Sequence, residues 1–228
     1  MRTVDDLVNV PDPAWPELQR ELEAATVPIE ILPIDPDRGR ESLRHLQVTA
    51  RSRMGALALH TGGLLVEGGW LRVLGGGAPG RELASLAQAN SLIGGPSSPP
   101  PSMLVGYDVL GGRFEVNGPD PQARRRPGQP AEVCYFAPDS LEWEPLGFGH
   151  GVWLSWIAGG QTTGFYEGLR WPGWQAETQP LSGAQGIAVY PFLWSQEAQS
   201  DLAGTHRTPV PMDEIFRLNA EFVAKLAG

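Results

Sequence analysis

Apolar and polar positions recur along this chain with a changing period, and the period marks the elements. Thr3 stands ahead of Asp5 and Asp6, an N-cap with acidic residues at the positive end of a short helix within Met1–Val10. Asp12-Pro13 predicts a second helix, capped by Asp12, in which Trp15, Leu18 and Leu22 share one face. Ile29–Leu32 reads as a strand stopped by Pro33, and Asp37 through Gln47 as a helix with Leu43 and Leu46 on one side. Met54–Leu74 reads as strands joined by glycine turns: MGALALH, TGG, LLVE, GG, WLRVL. Leu83–Ala89 is a short helical stretch.

Met103–Asp108 and Arg113–Asn117 form a predicted hairpin across Leu110-Gly111-Gly112. Val133–Phe136 is a strand followed by the turn residues Ala137-Pro138-Asp139-Ser140. Trp153–Ala158 and Phe165–Leu169 read as short helices and Gly186–Phe192 as a late strand. Behind Pro211, Asp213–Leu226 is the clearest helix, with Ile215, Leu218, Phe222 and Leu226 as its apolar stripe. The sum is an α+β fold: a single domain over residues 1–228 with a mainly antiparallel sheet flanked by helices. The Pro-rich stretches Gly94–Ser102 and Gly118–Ala131 read as loop insertions.

Charge narrows the function classes. The formal net charge is -9 over 228 residues, which disfavours a phosphate backbone and suits a basic protein or a cationic ligand. A single cysteine, Cys134, excludes an internal disulfide framework and a multi-cysteine zinc site. The opening MRTVDDLVNV lacks the apolar core of a signal peptide, and no stretch approaches the ~20 apolar residues of a membrane helix. A soluble cytoplasmic protein is expected, binding neither nucleic acid nor membrane.

Candidate chemistry centres on Val133–Trp174, which holds five of the eight tryptophans: Trp143, Trp153, Trp156, Trp171 and Trp174. Such density marks a packing centre first and an aromatic binding surface second. Trp171-Pro172-Gly173-Trp174 is the stretch expected at the surface, because two indoles flanking a Pro-Gly turn do not readily both point inward. Asp139, Glu142 and Glu144 surround Trp143; in an extended segment the two glutamates face one way and the indole the other. A carboxylate pair could serve as acid and base, as in glycosidases, although a solvated face is the simpler reading. The four histidines fall in no HExxH or HxH spacing, and neither GxxxxGK[ST], a helix-opening GxGxxG nor GxSxG occurs. No metal, cofactor or catalytic residue is therefore expected. His60 could be a base but reads better as structural, and Arg124-Arg125-Arg126 reads as part of a solvated loop.

These residues resemble a known bacterial family. His60-Thr61-Gly62-Gly63, Gly69 through Gly75 (GWLRVLG), Tyr135 through Glu144 (YFAPDSLEWE), Phe165 through Trp171 (FYEGLRW) and Tyr190 through Trp194 (YPFLW) are similar to the family catalogued as domain of unknown function 2625. The resemblance spans nearly the whole chain, implies one domain, and brings no established activity or catalytic residues. The layout of N-terminal helix, glycine-punctuated meander and acidic-aromatic Phe136–Trp143 also resembles, more distantly, the SUKH superfamily of proposed toxin-immunity domains.

Two readings follow. In the first, the chain is a non-enzymatic, immunity-like domain that binds a basic protein through Asp139, Glu142, Glu144, Glu167, Arg170, Trp171 and Trp174. In the second, it binds a small molecule or carbohydrate, or hydrolyses one with Glu142 and Glu144 beside tryptophan.

Overall fold

A computed structural model of the chain describes residues 1–93 and 100–226. Thr3 caps α1 (Val4–Val8): its hydroxyl accepts from the Asp6 N–H, and the Asp6 carboxylate accepts in return from the Thr3 N–H at 3.1 Å. α2 (Trp15–Glu23) begins later than its local signals imply. Asp12 lies in the left-handed region at φ 54° and caps nothing; Ala14 takes the cap position and Pro16 the first turn. β1 (Ile29–Leu32) precedes α3 (Pro36–Leu46), whose cap is Asp35, accepting from the Asp37 and Arg38 N–H groups.

The stretch MGALALH is not a strand. It forms α4 (Arg53–His60), started by the Ser52 hydroxyl, which accepts from the Gly55 N–H at 3.0 Å. Alternation in seven residues satisfies a strand, yet Met, Ala and Leu are strong helix formers and the serine cap decides the outcome. Gly55 is also required here, since a Cβ would sit 2.1 Å from the Thr49 carbonyl oxygen.

The chain continues through β2 (Gly63–Val66), β3 (Leu71–Leu74), α5 (Leu86–Ala89), β4 (Ser102–Asp108), β5 (Arg113–Asn117), β6 (Glu132–Ala137) and β7 (Glu142–Gly149). α6 (His150–Ala158), α7 (Thr162–Phe165) and a 3-10 turn at Glu167–Leu169 follow, so the expected helix at Phe165–Leu169 is divided in two. Then come α8 (Trp174–Thr178), β8 (Gln185–Tyr190), α9 (Gln196–Ser200), β9 (His206–Pro211) and α10 (Met212–Leu226). Strands β1 to β7 form one antiparallel sheet in strict chain order; β8 and β9 form a separate antiparallel ribbon. Tight turns join β2 to β3, β4 to β5 and β6 to β7, whereas α3 and α4 lie between β1 and β2, and α5 lies between β3 and β4.

The two faces of the sheet are covered differently. Gly106, Phe114, Tyr135 and Glu144 lie in register across β4 to β7, and Trp153 of α6 packs on this face at 5.1 Å from Phe114. Tyr107, Arg113, Phe136 and Trp143 lie in register on the other face, where Phe216 of α10 meets Tyr107 edge-on at 5.7 Å. The ribbon joins the β4–β5 turn through the Ile187 N–H, which donates to the Val109 carbonyl at 2.7 Å. In α10, Ile215 is buried and Leu218 and Phe222 are half-buried, but Leu226 is 67% exposed; Met212 and Phe216 complete the inward face instead.

Of the loop at Gly94–Ser102, residues 94–99 lie outside the described residues, and Ser102 already opens β4. The arginine run is not uniformly solvated. Arg126 turns inward, pairing with Glu115 at 2.9 Å and stacking 3.7 Å from the Trp143 ring, while Arg124 and Arg125 are exposed. Among the described residues no helix is long and apolar enough to cross a membrane.

Candidate functional site

The turn after β6 and the edge strand β7 carry the acidic candidates. Glu142 lies opposite Ala137 and Glu144 opposite Tyr135; both are exposed and on one face, while Trp143 lies opposite Phe136 on the other. The Trp143 ring packs 5.4 Å from Phe136, with the Arg126 and Arg113 guanidiniums at 3.7 and 5.2 Å. Trp143 is thus an anchor for the opposite face and does not border the carboxylates. Asp139 is half-buried in the turn, and its carbonyl accepts from Gln199 Nε2 at 3.1 Å.

Asp139 and Glu144 meet across a cleft of about 190 Å³ walled by Tyr135, Phe165 and Leu169. Gly168 lines the same cleft and its neighbour Glu167 is exposed. Among the described residues, no ion pair engages Asp139, Glu142, Glu144 or Glu167. The four carboxylates therefore remain available to an outside cation.

Arg170, Trp171 and Trp174 occupy a different environment. The Arg170 guanidinium pairs with both Glu67 carboxylate oxygens, at 2.9 and 2.6 Å, and sits 5.1 Å from Trp70 and 4.5 Å from Trp174. Trp171 is 2% exposed, which overturns its expected surface position; its Nε1 donates to Glu177 at 2.8 Å. Trp174 is half-buried, edge-on to Trp70 at 5.0 Å. Both indoles point inward because Gly173, at φ 83°, reverses the chain in a conformation open mainly to glycine. These three residues brace the β2–β3 turn; the cleft brings Asp139 and Glu144 together and includes none of the three.

One cluster escaped the reading of the sequence. Asp108, at the end of β4, is fully buried. One carboxylate oxygen accepts from the Leu110 and Gly112 N–H groups, each at 2.9 Å, and the other from the Tyr135 and Tyr166 hydroxyls at 2.8 and 3.2 Å. Burial pushes the Asp108 carboxyl above its ordinary pKa despite these donors, and burial beside Asp108 raises both tyrosines. Gly112 must be glycine, because a Cβ would lie 2.1 Å from the Asp108 carboxylate and 2.2 Å from the Tyr135 hydroxyl. Nearby, Arg72 is 1% exposed, and burial brings its guanidinium down to about 10. The available signal was Asp108 just ahead of Leu110-Gly111-Gly112, an aspartate placed to bond its own hairpin turn. Sealed from solvent, this cluster holds the turn and offers no surface to a substrate.

The histidines are dispersed. His60 stacks on Trp15 at 4.9 Å, and partial burial lowers its pKa. His45 lies 2.9 Å from Glu41. His150 is buried, and burial carries its imidazole down to about 3. Among the described residues no three His, Cys, Asp or Glu side chains are grouped to hold a metal ion.

Comparison with known proteins adds kinship without chemistry. Residues 4–215 match the family described as protein of unknown function DUF2625. The chain is 38% identical over 203 residues to the putative uncharacterized protein YbfG of Escherichia coli (strain K12), an alignment spanning 88% of this chain and 89% of that one. It is 30% identical over 197 residues to an uncharacterized protein of Haemophilus influenzae, across 85% of this chain and 83% of the relative. No solved structure matches significantly. The chain belongs to the DUF2625 family.

Proposed function

We propose that this DUF2625 protein is a non-enzymatic binding domain that receives a basic protein partner on the rim formed by Asp139, Glu142, Glu144 and Glu167. The reading rests on Asp139 and Glu144 sharing a cleft beside the edge strand β7, with Glu142 exposed on the same face of β7 as Glu144, Glu167 exposed next to the cleft residue Gly168, and no ion pair to any of the four among the described residues, in a chain of net charge -9. Such an arrangement steers a cationic partner during encounter and discriminates against acidic ones. Phe165 and Leu169 add an apolar wall against which the stem of a lysine or arginine can lie.

An immunity-type role in the cytoplasm is the finer form of this proposal, with a nucleic-acid-attacking toxin as the basic partner. The resemblance in layout to the SUKH superfamily favours it. The hydrolase alternative has less behind it. Trp143 faces away from Glu142 and Glu144, and a cleft of about 190 Å³ is smaller than the ~300–1,000 Å³ typical of small-ligand sites.

The test compares wild type with the quadruple variant Asp139→Asn/Glu142→Gln/Glu144→Gln/Glu167→Gln as bait in a bacterial lysate. Wild type should retain a stoichiometric basic protein at low salt and release it at high salt, and the neutralised rim should retain none. Equal capture by the variant refutes the site, and the absence of any protein partner refutes the function.

A further inference from the structure

The first turns of α4 and α6 lie side by side: a Cβ on Gly151 would meet the Arg53 Cδ at 3.4 Å. Between them runs a groove of about 470 Å³, lined by Ser52, Arg53 and Met54 from one helix and His150, Gly151 and Val152 from the other. Val48 and Val116 supply more apolar wall. Both helices thus turn their positive ends to the same groove.

The start of α6 is unfinished. Gly149 occupies the cap position and contributes no side-chain bond, leaving first-turn N–H groups without a capping acceptor. His150 is only 8% exposed, and neither ring nitrogen has a partner among the described residues. A buried neutral imidazole without hydrogen bonds loses its hydration with nothing in return, and its N–H marks a missing acceptor. Arg53 borders the groove, its charge already met by Glu21. Its guanidinium donates to the Gly151 carbonyl at 3.0 Å and the Ser155 hydroxyl at 2.7 Å and pairs with Glu21, while its Nε has no partner.

In a chain rich in carboxylates, none lines this groove. Its wall instead includes Val152, which is 57% exposed and one of few large apolar side chains left so open among the described residues. Donors at one end and aliphatic walls beside them call for an amphipathic anion. We propose that the groove binds a small organic carboxylate, its charged head received by the α6 first turn and His150, its aliphatic body lying along Met54, Val116 and Val152. Inorganic phosphate suits the groove less, because the apolar wall offers its oxygens nothing. The site is separate from the acidic rim and stands or falls independently of it.

Hexanoate is a suitable probe, with hexanamide as its uncharged counterpart and inorganic phosphate as a bare anion. Calorimetry should give saturable hexanoate binding, with hexanamide and phosphate each roughly tenfold weaker or more. The His150 Cε1–H resonance should move along the same isotherm. Val152→Glu places a carboxylate at the third position of α6, where it suits the helix and fills the anion position. That variant should melt no lower than wild type while binding hexanoate at least about tenfold more weakly. No saturable hexanoate binding, equal affinity for hexanamide or phosphate, a stationary His150 signal, or undiminished binding by Val152→Glu would each overturn the proposal.

Discussion

Replacing Trp153 by alanine tests where the centre of the fold lies. The indole is fully buried, 5.1 Å from Phe114 and 5.6 Å from His150, with its six-membered ring tip over Gly106. A side chain of this kind buries roughly 150–250 Å². At about 25 cal/mol per Å², removing it costs about 4–6 kcal/mol before any allowance for what alanine still covers. That allowance and the cavity left behind act in opposite directions. One correction lowers the figure: Trp153 Nε1 is buried without a hydrogen-bond partner among the described residues, so deleting it also removes a desolvated donor, worth about 1–3 kcal/mol. The expected loss is therefore about 3–4 kcal/mol, which a domain of ordinary stability, about 5–15 kcal/mol, survives in measurable form. Trp153→Phe keeps most of the packing and discards the orphan donor, so its loss should be about 1 kcal/mol. The half-buried Trp143, braced by Arg126 at the sheet edge, should lose about 1–2 kcal/mol as Trp143→Ala. Urea unfolding followed by the remaining tryptophan fluorescence measures all three. A Trp153→Ala loss below about 1.5 kcal/mol, or one equal to that of Trp143→Ala, would refute the assignment of the core to the α6 face.

Other expectations concern the buried charges. Asp108 binds its proton more tightly when folded, so its contribution to stability is present below the unfolded pKa of about 3.9 and is lost as pH rises through the higher folded value. Asp108→Asn keeps the shape without titrating; its stability relative to wild type should therefore increase as pH is raised from about 4 towards neutrality, and a difference that does not change with pH refutes the burial argument. Arg170→Ala strands the Glu67 carboxylate, which is about one-tenth exposed, and should cost about 3–5 kcal/mol in chemical denaturation; a loss under about 1 kcal/mol would mean the pair is solvated.

Much of this architecture was legible from local chemistry. The Thr3 cap, the β4–β5 hairpin, the Ala137–Ser140 turn and the start of α10 all form from residues within a few positions of one another. Short turns made the β2–β3, β4–β5 and β6–β7 pairs readable, and alternation put Glu142 and Glu144 on one face. MGALALH was ambiguous because its alternation suits both periods; packing of α4 against α2, α3 and α6 accompanies the helical choice. β9 was hidden by Pro209 and Pro211, tolerable where the ribbon leaves a strand without a neighbour on one side.

The sites divide in the same way. Net charge and the run of carboxylates around Trp143 are properties of adjacent residues, so the exposed pair Glu142 and Glu144 could be read directly. The fates of Arg170 and Trp171 depend on Glu67 and Glu177, Asp108 on Tyr135 and Tyr166, and the α4–α6 groove on elements almost a hundred residues apart. Backbone propensity and capping act within a turn or two of the chain. Whether an arginine is neutralised, an indole sealed or a histidine left without a partner depends on side chains that only the closed tertiary structure brings within contact distance.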